Sequence, residues 1–86
     1  MDSLESIRAN IDRVDETLVQ LIEQRAELVQ LLISVKAKQG LTARIPEREE
    51  AILDALHQRH GKHFSKEELE SIYRPIFDAC VRLQLE

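Results

Sequence analysis

A chain of 86 residues with a formal net charge of −4 and 43% hydrophobic residues has room for one domain, residues 1–86, built on a small core. One cysteine excludes an intrachain disulfide and points to a reducing, cytoplasmic setting. The acidic opening "MDSLESIRAN" does not read as a signal peptide, no apolar run approaches membrane-spanning length, and no lysine or arginine run offers a footprint for nucleic acid.

Two glycines, two prolines and no tryptophan predict long helices with few turns, an all-α fold. The first helix is expected from about residue 3 to about residue 38. Asp2 is placed to cap it, with Glu5 reaching back as in a capping box. Alternating steps of three and four from Leu4 reach Ile7, Ile11, Val14, Leu18, Leu21, Arg25, Leu28, Leu32 and Val35. All but Arg25 are aliphatic. Such a 3.5-residue period marks a helix that packs lengthwise on other helices. At 1.5 Å per residue it is ~50 Å long, more than one small domain can cover, so two intertwined copies of the chain are expected.

"QGLTARIP" reads as a connection, opened by Gly40 and closed by Pro46, a residue favoured in the first turn of a helix. The second helix follows through "EREEAILDALHQRH", with Ile52, Leu53 and Leu56 inward and Gly61 as its stop. Ser65 and Glu68 form a capping box for a third helix, whose inner face carries Leu69, Ile72, Tyr73, Ile76, Phe77, Cys80 and Gln84. Pro75 lies within that helix and predicts a kink rather than a break, because the periodicity continues across it.

Several polar residues do not suit a purely structural bundle. A buried guanidinium without an anionic partner costs several kcal/mol, so Arg25 needs a carboxylate from Glu27, Glu49, a partner chain or a ligand. Lys36 returns to within about 20° of the same helix face, ~16 Å further along, so both side chains can reach one small molecule. Arg8 is ~25 Å before Arg25, too far to share a metabolite-sized ligand within one chain. Gln84 lies one turn after Cys80, where an aliphatic residue would be expected, although near the C-terminus it could simply be solvated. Arg48 and Glu49 open the second helix; glutamate suits the helix dipole there and arginine does not. Solvated surface roles for Arg8, Arg48 and Glu49 are the plain alternative. His57, His60 and His63 are spaced by three, but Gly61 interrupts them and no cysteine or acid completes a ligand pattern, so no metal is expected. Cys80 has no histidine at a recognisable spacing and reads as an apolar-face residue.

The segments "IRANIDRVDETLVQLIEQRAEL", "VKAK", "PEREEAIL" and "DACVRLQ" resemble the all-helical chorismate mutases over essentially the whole chain. The resemblance rests on the joint spacing of Arg8, Arg25, Lys36, Arg48, Glu49 and Gln84. It implies three helices per chain, an intertwined homodimer with two shared active sites, and no cofactor. It implies that Arg25 and Lys36 bind the carboxylates of chorismate, with Arg8 supplied by the partner. Lys36 and Gln84 would face the ether oxygen of the breaking bond, and Glu49 the ring hydroxyl with Arg48 beside it. Ile45 stands where some relatives carry an acid that meets the hydroxyl, which leaves only its backbone for that contact. Cys80 stands where serine is common, and its thiol is a poorer donor. A free-standing enzyme and the mutase domain of a bifunctional chorismate mutase–prephenate dehydratase both fit, and Leu85-Glu86 does not decide between them.

Two rivals are compatible with parts of this pattern. Isochorismate pyruvate-lyases have a similar fold and diacid substrate, and "ARIPER" has some of their character, but they generally lack a glutamate at the position of Glu49. A non-catalytic helical dimerisation module would have no need of Arg25, Lys36 and Gln84 in one pocket.

Overall fold

Helix α1 runs over Leu4–Gln39, α2 over Pro46–His60 and α3 over Lys66–Leu85 in a computed structural model that describes residues 3–85. The N-cap of α1 is Ser3, whose Oγ accepts from the Ser6 amide at 3.1 Å. Asp2, the expected cap, lies outside the described residues. Gly40 ends α1 in the left-handed region at φ 70°, and the Leu41 amide donates back to the Lys36 carbonyl at 2.8 Å. That turn needs a residue without a Cβ penalty, which explains the glycine.

Pro46 opens α2 as its sequence position requires. Gly61 ends α2 for a different reason from the one expected. Its φ of −66° is open to any residue. A Cβ at Gly61, however, would lie 2.5 Å from the His57 carbonyl oxygen, so close approach and not left-handed geometry selects glycine. Both halves of the Ser65–Glu68 capping box form: the Ser65 amide donates to Glu68 Oε1 at 2.9 Å and the Glu68 amide to Ser65 Oγ at 3.1 Å. Helix α3 continues without a break through Pro75.

Helix α3 packs on both α1 and α2, which do not pack on each other. Val29, Leu53, Phe77 and Cys80 form the buried core. Lys66 ties the start of α3 to α2 by donating to Asp54 at 2.7 Å and to Glu50. Its hydrogen bonds to Asp54 and then Glu50 hold its ammonium well above the ordinary lysine pKa. Ile72, expected on the inner face of α3, is exposed.

The face of α1 turned to α3 differs from the 3.5-residue stripe. Val29 is buried, and Ile22, Arg25, Ala26 and Lys36 are half-buried, whereas Leu28, Leu32 and Val35 stay exposed. The N-terminal half of the stripe is exposed: Leu4 is 63% and Val14 65% exposed, and Ile7, Ile11, Leu18 and Leu21 are exposed as well. The protomer is correspondingly open. Its radius of gyration is 16.1 Å, against about 12 Å for a compact domain of this length. It exposes 7043 Å², where a compact monomer of 10.0 kDa exposes roughly 5,200 Å².

Candidate active site

The C-terminal half of α1, the connection before α2, the first turns of α2 and the last turns of α3 enclose a pocket of about 500 Å³. That lies within the range of small-molecule sites. Arg25 and Lys36 enter from α1, Ile45 from the connection, Arg48 and Glu49 from α2, and Cys80 and Gln84 from α3. Of the site residues singled out in the sequence, only Arg8 is elsewhere: it is exposed on the N-terminal half of α1 and does not line the pocket. Leu28, Val29, Leu32, Ile52, Phe77 and Val81 supply apolar walls. An apolar lining with a few fixed polar groups lowers the local dielectric and strengthens each charge–charge contact inside.

Arg25 has no carboxylate in ion-pair range among the described residues, so pairing with Glu27 or Glu49 is not what holds it. Its Nη1 lies 3.1 Å from Cys80 Sγ, and its guanidinium stands 5.4 Å from the centroid of the Phe77 ring. A thiol is a weak acceptor and a ring face a diffuse one. Most of the guanidinium's donors therefore remain available. The α1–α3 packing at Val29 and Phe77 sets where Arg25 stands.

Lys36 Nζ donates to the Gln84 side-chain oxygen at 2.8 Å and to the Ala43 carbonyl at 3.0 Å. The Gln84 amide nitrogen donates in turn to the Cys80 carbonyl at 3.2 Å. Gln84 is thus half-buried and engaged, not a solvated terminal residue. One ammonium and one amide meet where α1 ends, the connection passes and α3 ends.

Glu49 departs furthest from its plain reading as a solvated residue. Its side chain is 12% exposed and receives two arginines. Arg44 Nη1 lies 2.9 Å from Oε2 and 3.2 Å from Oε1, and Arg74 Nη1 lies 2.7 Å from Oε1. Arg44 also donates to Asp78 Oδ1 at 2.5 Å, and Arg74 reaches Glu70 at 3.4 Å. The hydrogen bond to Asp78, with the nearby charge of Glu49, raises the Arg44 pKa; the hydrogen bond to Glu49 does the same for Arg74. Both are cations at any working pH. The sequence reading did not find Arg44, Arg74 or Asp78. The Glu70–Arg74 spacing of four was a visible signal, but it announces only a helix-surface pair.

Among the described residues, no group of three His, Cys, Asp or Glu side chains is placed to hold a metal ion, and no helix is long and apolar enough to cross a membrane.

The family model described as "Chorismate mutase type II" matches residues 7–85. The chain belongs to the chorismate mutase type II family. The bifunctional chorismate mutase/prephenate dehydratase of Aquifex aeolicus (strain VF5) is 35% identical over 88 residues, covering 98% of this chain and 24% of that protein. The protein of the same description from Pseudomonas aeruginosa is 31% identical over 88 residues, covering 96% of this chain and 24% of that protein. The T-protein of Haemophilus influenzae is 44% identical over 55 residues, covering 64% of this chain and 15% of that protein. The chain therefore spans about a quarter of the length of these bifunctional relatives. The chorismate mutase type II match runs through all three helices and includes every pocket residue from Arg25 to Gln84.

Proposed function

We propose that this chain is a chorismate mutase, converting chorismate to prephenate by an intramolecular Claisen-type rearrangement, and that it works as an intertwined homodimer without a cofactor. Arg25 is the observation that carries the reading: a half-buried guanidinium in an apolar pocket, with a thiol and a ring face as its only company among the described residues, is built to receive an anion. The substrate is a dianion with an ether bond to break and a ring hydroxyl. Arg25 and Lys36 bind its carboxylates, and the partner's copy of the N-terminal helix brings Arg8 to complete the set. Lys36 and Gln84 hold the ether oxygen, where negative charge grows as the bond lengthens. Glu49 accepts from the ring hydroxyl, beside Arg48.

The reaction needs no nucleophile and no proton transfer. It needs the enolpyruvyl arm folded over the ring, and fixed charges at three points of the substrate supply that order. Arginine's planar fork matches a carboxylate, and a compact ammonium matches a single oxygen. The exposed stripe on α1 supports the dimer, because an antiparallel copy would cover it and would carry Arg8 to the opposite pocket.

Incubation with chorismate, with its absorbance followed and the product identified, tests the reading. Loss of absorbance with prephenate as product is expected. Pyruvate as the product with isochorismate would make the protein a lyase. No turnover of either would make it a non-catalytic helical module.

A further inference from the structure

Glu49 raises a question that a hydroxyl contact alone does not answer: why does one carboxylate receive two arginines? Arg44 comes from the connection and Arg74 from the middle of α3. The guanidinium of Arg74 also stands 5.6 Å from the centroid of the Phe77 ring, the ring that Arg25 approaches at 5.4 Å. Phe77 is buried, so Arg74 is held on a fixed platform while it holds Glu49.

An ionised carboxylate offers about four lone-pair positions. Two donor nitrogens cover three of them: Arg74 Nη1 on Oε1, and Arg44 Nη1 shared between Oε1 and Oε2. One acceptor position is left, on Oε2. Held by two guanidinium donors, the carboxylate meets the pocket as an acceptor.

We propose that Arg74, acting with Arg44, is a positioning residue that makes Glu49 a single-vacancy hydrogen-bond acceptor and thereby selects a substrate presenting one hydroxyl donor at that point. This rests on the mutase reading and deepens it. The residue that meets the substrate is Glu49; Arg74 acts through it. A merely structural Arg74, tying α2 to α3, would influence every substrate alike. A positioning Arg74 influences only substrates that have the hydroxyl.

The test compares kcat/KM for chorismate and for its analogue with the ring hydroxyl replaced by hydrogen. The proteins are wild type, Arg74→Gln, Arg74→Lys, Glu49→Ala and the Glu49→Ala/Arg74→Gln double variant. Arg74→Gln is expected to lower kcat/KM for chorismate about tenfold or more, the effect of losing a well-aligned hydrogen bond to a charged group, and to change the analogue less than about twofold. Arg74→Lys keeps a cation without the fork and is expected to recover part of the loss. In the Glu49→Ala background, Arg74→Gln is expected to leave the chorismate-to-analogue ratio unchanged, because the acceptor it serves is gone. Equal losses on both substrates, in Arg74→Gln or in the milder Arg74→Lys, would overturn the inference and leave the mutase reading standing. A wild-type protein without turnover of chorismate would overturn the mutase reading, and the inference with it.

Discussion

Val14 offers the most direct probe of the dimer. It sits mid-stripe on α1 and is 65% exposed. In an isolated protomer, Val14→Asp would be a surface change within about 0.5 kcal/mol, because aspartate and valine differ little in helix propensity. In an intertwined dimer the same carboxylate enters an apolar interface. There the burial of valine, worth ~1 kcal/mol for a side chain already part-covered, is replaced by an unpaired charge costing several kcal/mol. Two-fold symmetry introduces the lesion twice, so the dimer should weaken by roughly 6 kcal/mol or more, about four orders of magnitude in its dissociation constant. Sedimentation over a concentration series, with kcat measured at each concentration, reads both consequences. Wild type should sediment as a dimer at micromolar concentration, whereas the variant should run near the 10.0 kDa protomer mass and lose activity, because each site would lack the partner's Arg8. A wild-type protein that is a folded, active monomer, or a variant that dimerises undisturbed, refutes the reasoning.

Other substitutions examine the pocket. Gln84→Glu should shift the optimum of kcat/KM to acid: the ionised carboxylate cannot donate to the ether oxygen, and activity returns as pH falls through its pKa, near or above the ordinary value of about 4.3 because a dianionic substrate opposes ionisation; an unchanged pH profile would remove Gln84 from the chemistry. Cys80→Ser should keep activity within about threefold, because a hydroxyl accepts from Arg25 at least as well as the thiol does; a folded but inactive variant would show the thiol to be needed. Arg8→Ala and Arg25→Ala should each abolish most activity, and refolding the two together should restore about a quarter of wild-type sites, since roughly half the dimers are mixed and each mixed dimer rebuilds one intact site; no recovery from verified mixed dimers would place both arginines in one site of one chain.

Much of this architecture was legible because charged groups stand out against an apolar period. Arg25 interrupts the stripe on α1 and Lys36 returns to its face, so that pair followed from helical geometry, whereas the meeting of Lys36 with Gln84 on α3 was an expectation of the family resemblance. The capping box at Ser65 and Glu68 was equally local. Val29 was not legible. The line through Val29 has the same seven-residue period as the counted stripe but is offset from it by one residue, ~100° around the helix, and the period alone does not say which apolar line meets α3. Ile22, Val29 and Lys36, seven residues apart, form the line that actually meets α3, and the stripe of Leu28, Leu32 and Val35 is left beside it. The stop at Gly61 was found with the wrong cause, because the crowding comes from the backbone carbonyl and ring of His57 and depends on the path by which the chain leaves α2, not on a residue type.

Arg44 and Arg74 escaped the sequence because an ion pair between a connection and two helices depends on register in space. Their arrangement has a consequence for the pocket as a whole. Arg25, Lys36 and Arg48 line it together with one carboxylate, Glu49. A free carboxylate there would compete with any anionic ligand for those cations, since opposite charges a few ångströms apart in an apolar cavity attract strongly. Arg44 and Arg74 engage Glu49 instead, at 2.9 and 2.7 Å, and Arg44 is itself anchored on Asp78. The carboxylate keeps its ability to accept from a hydroxyl, while its charge is balanced by two cations that do not line the pocket. The cations that do line it keep their charge for a ligand, and Arg25 is left, among the described residues, with a thiol and a ring face, the condition in which an anionic ligand gains most from binding.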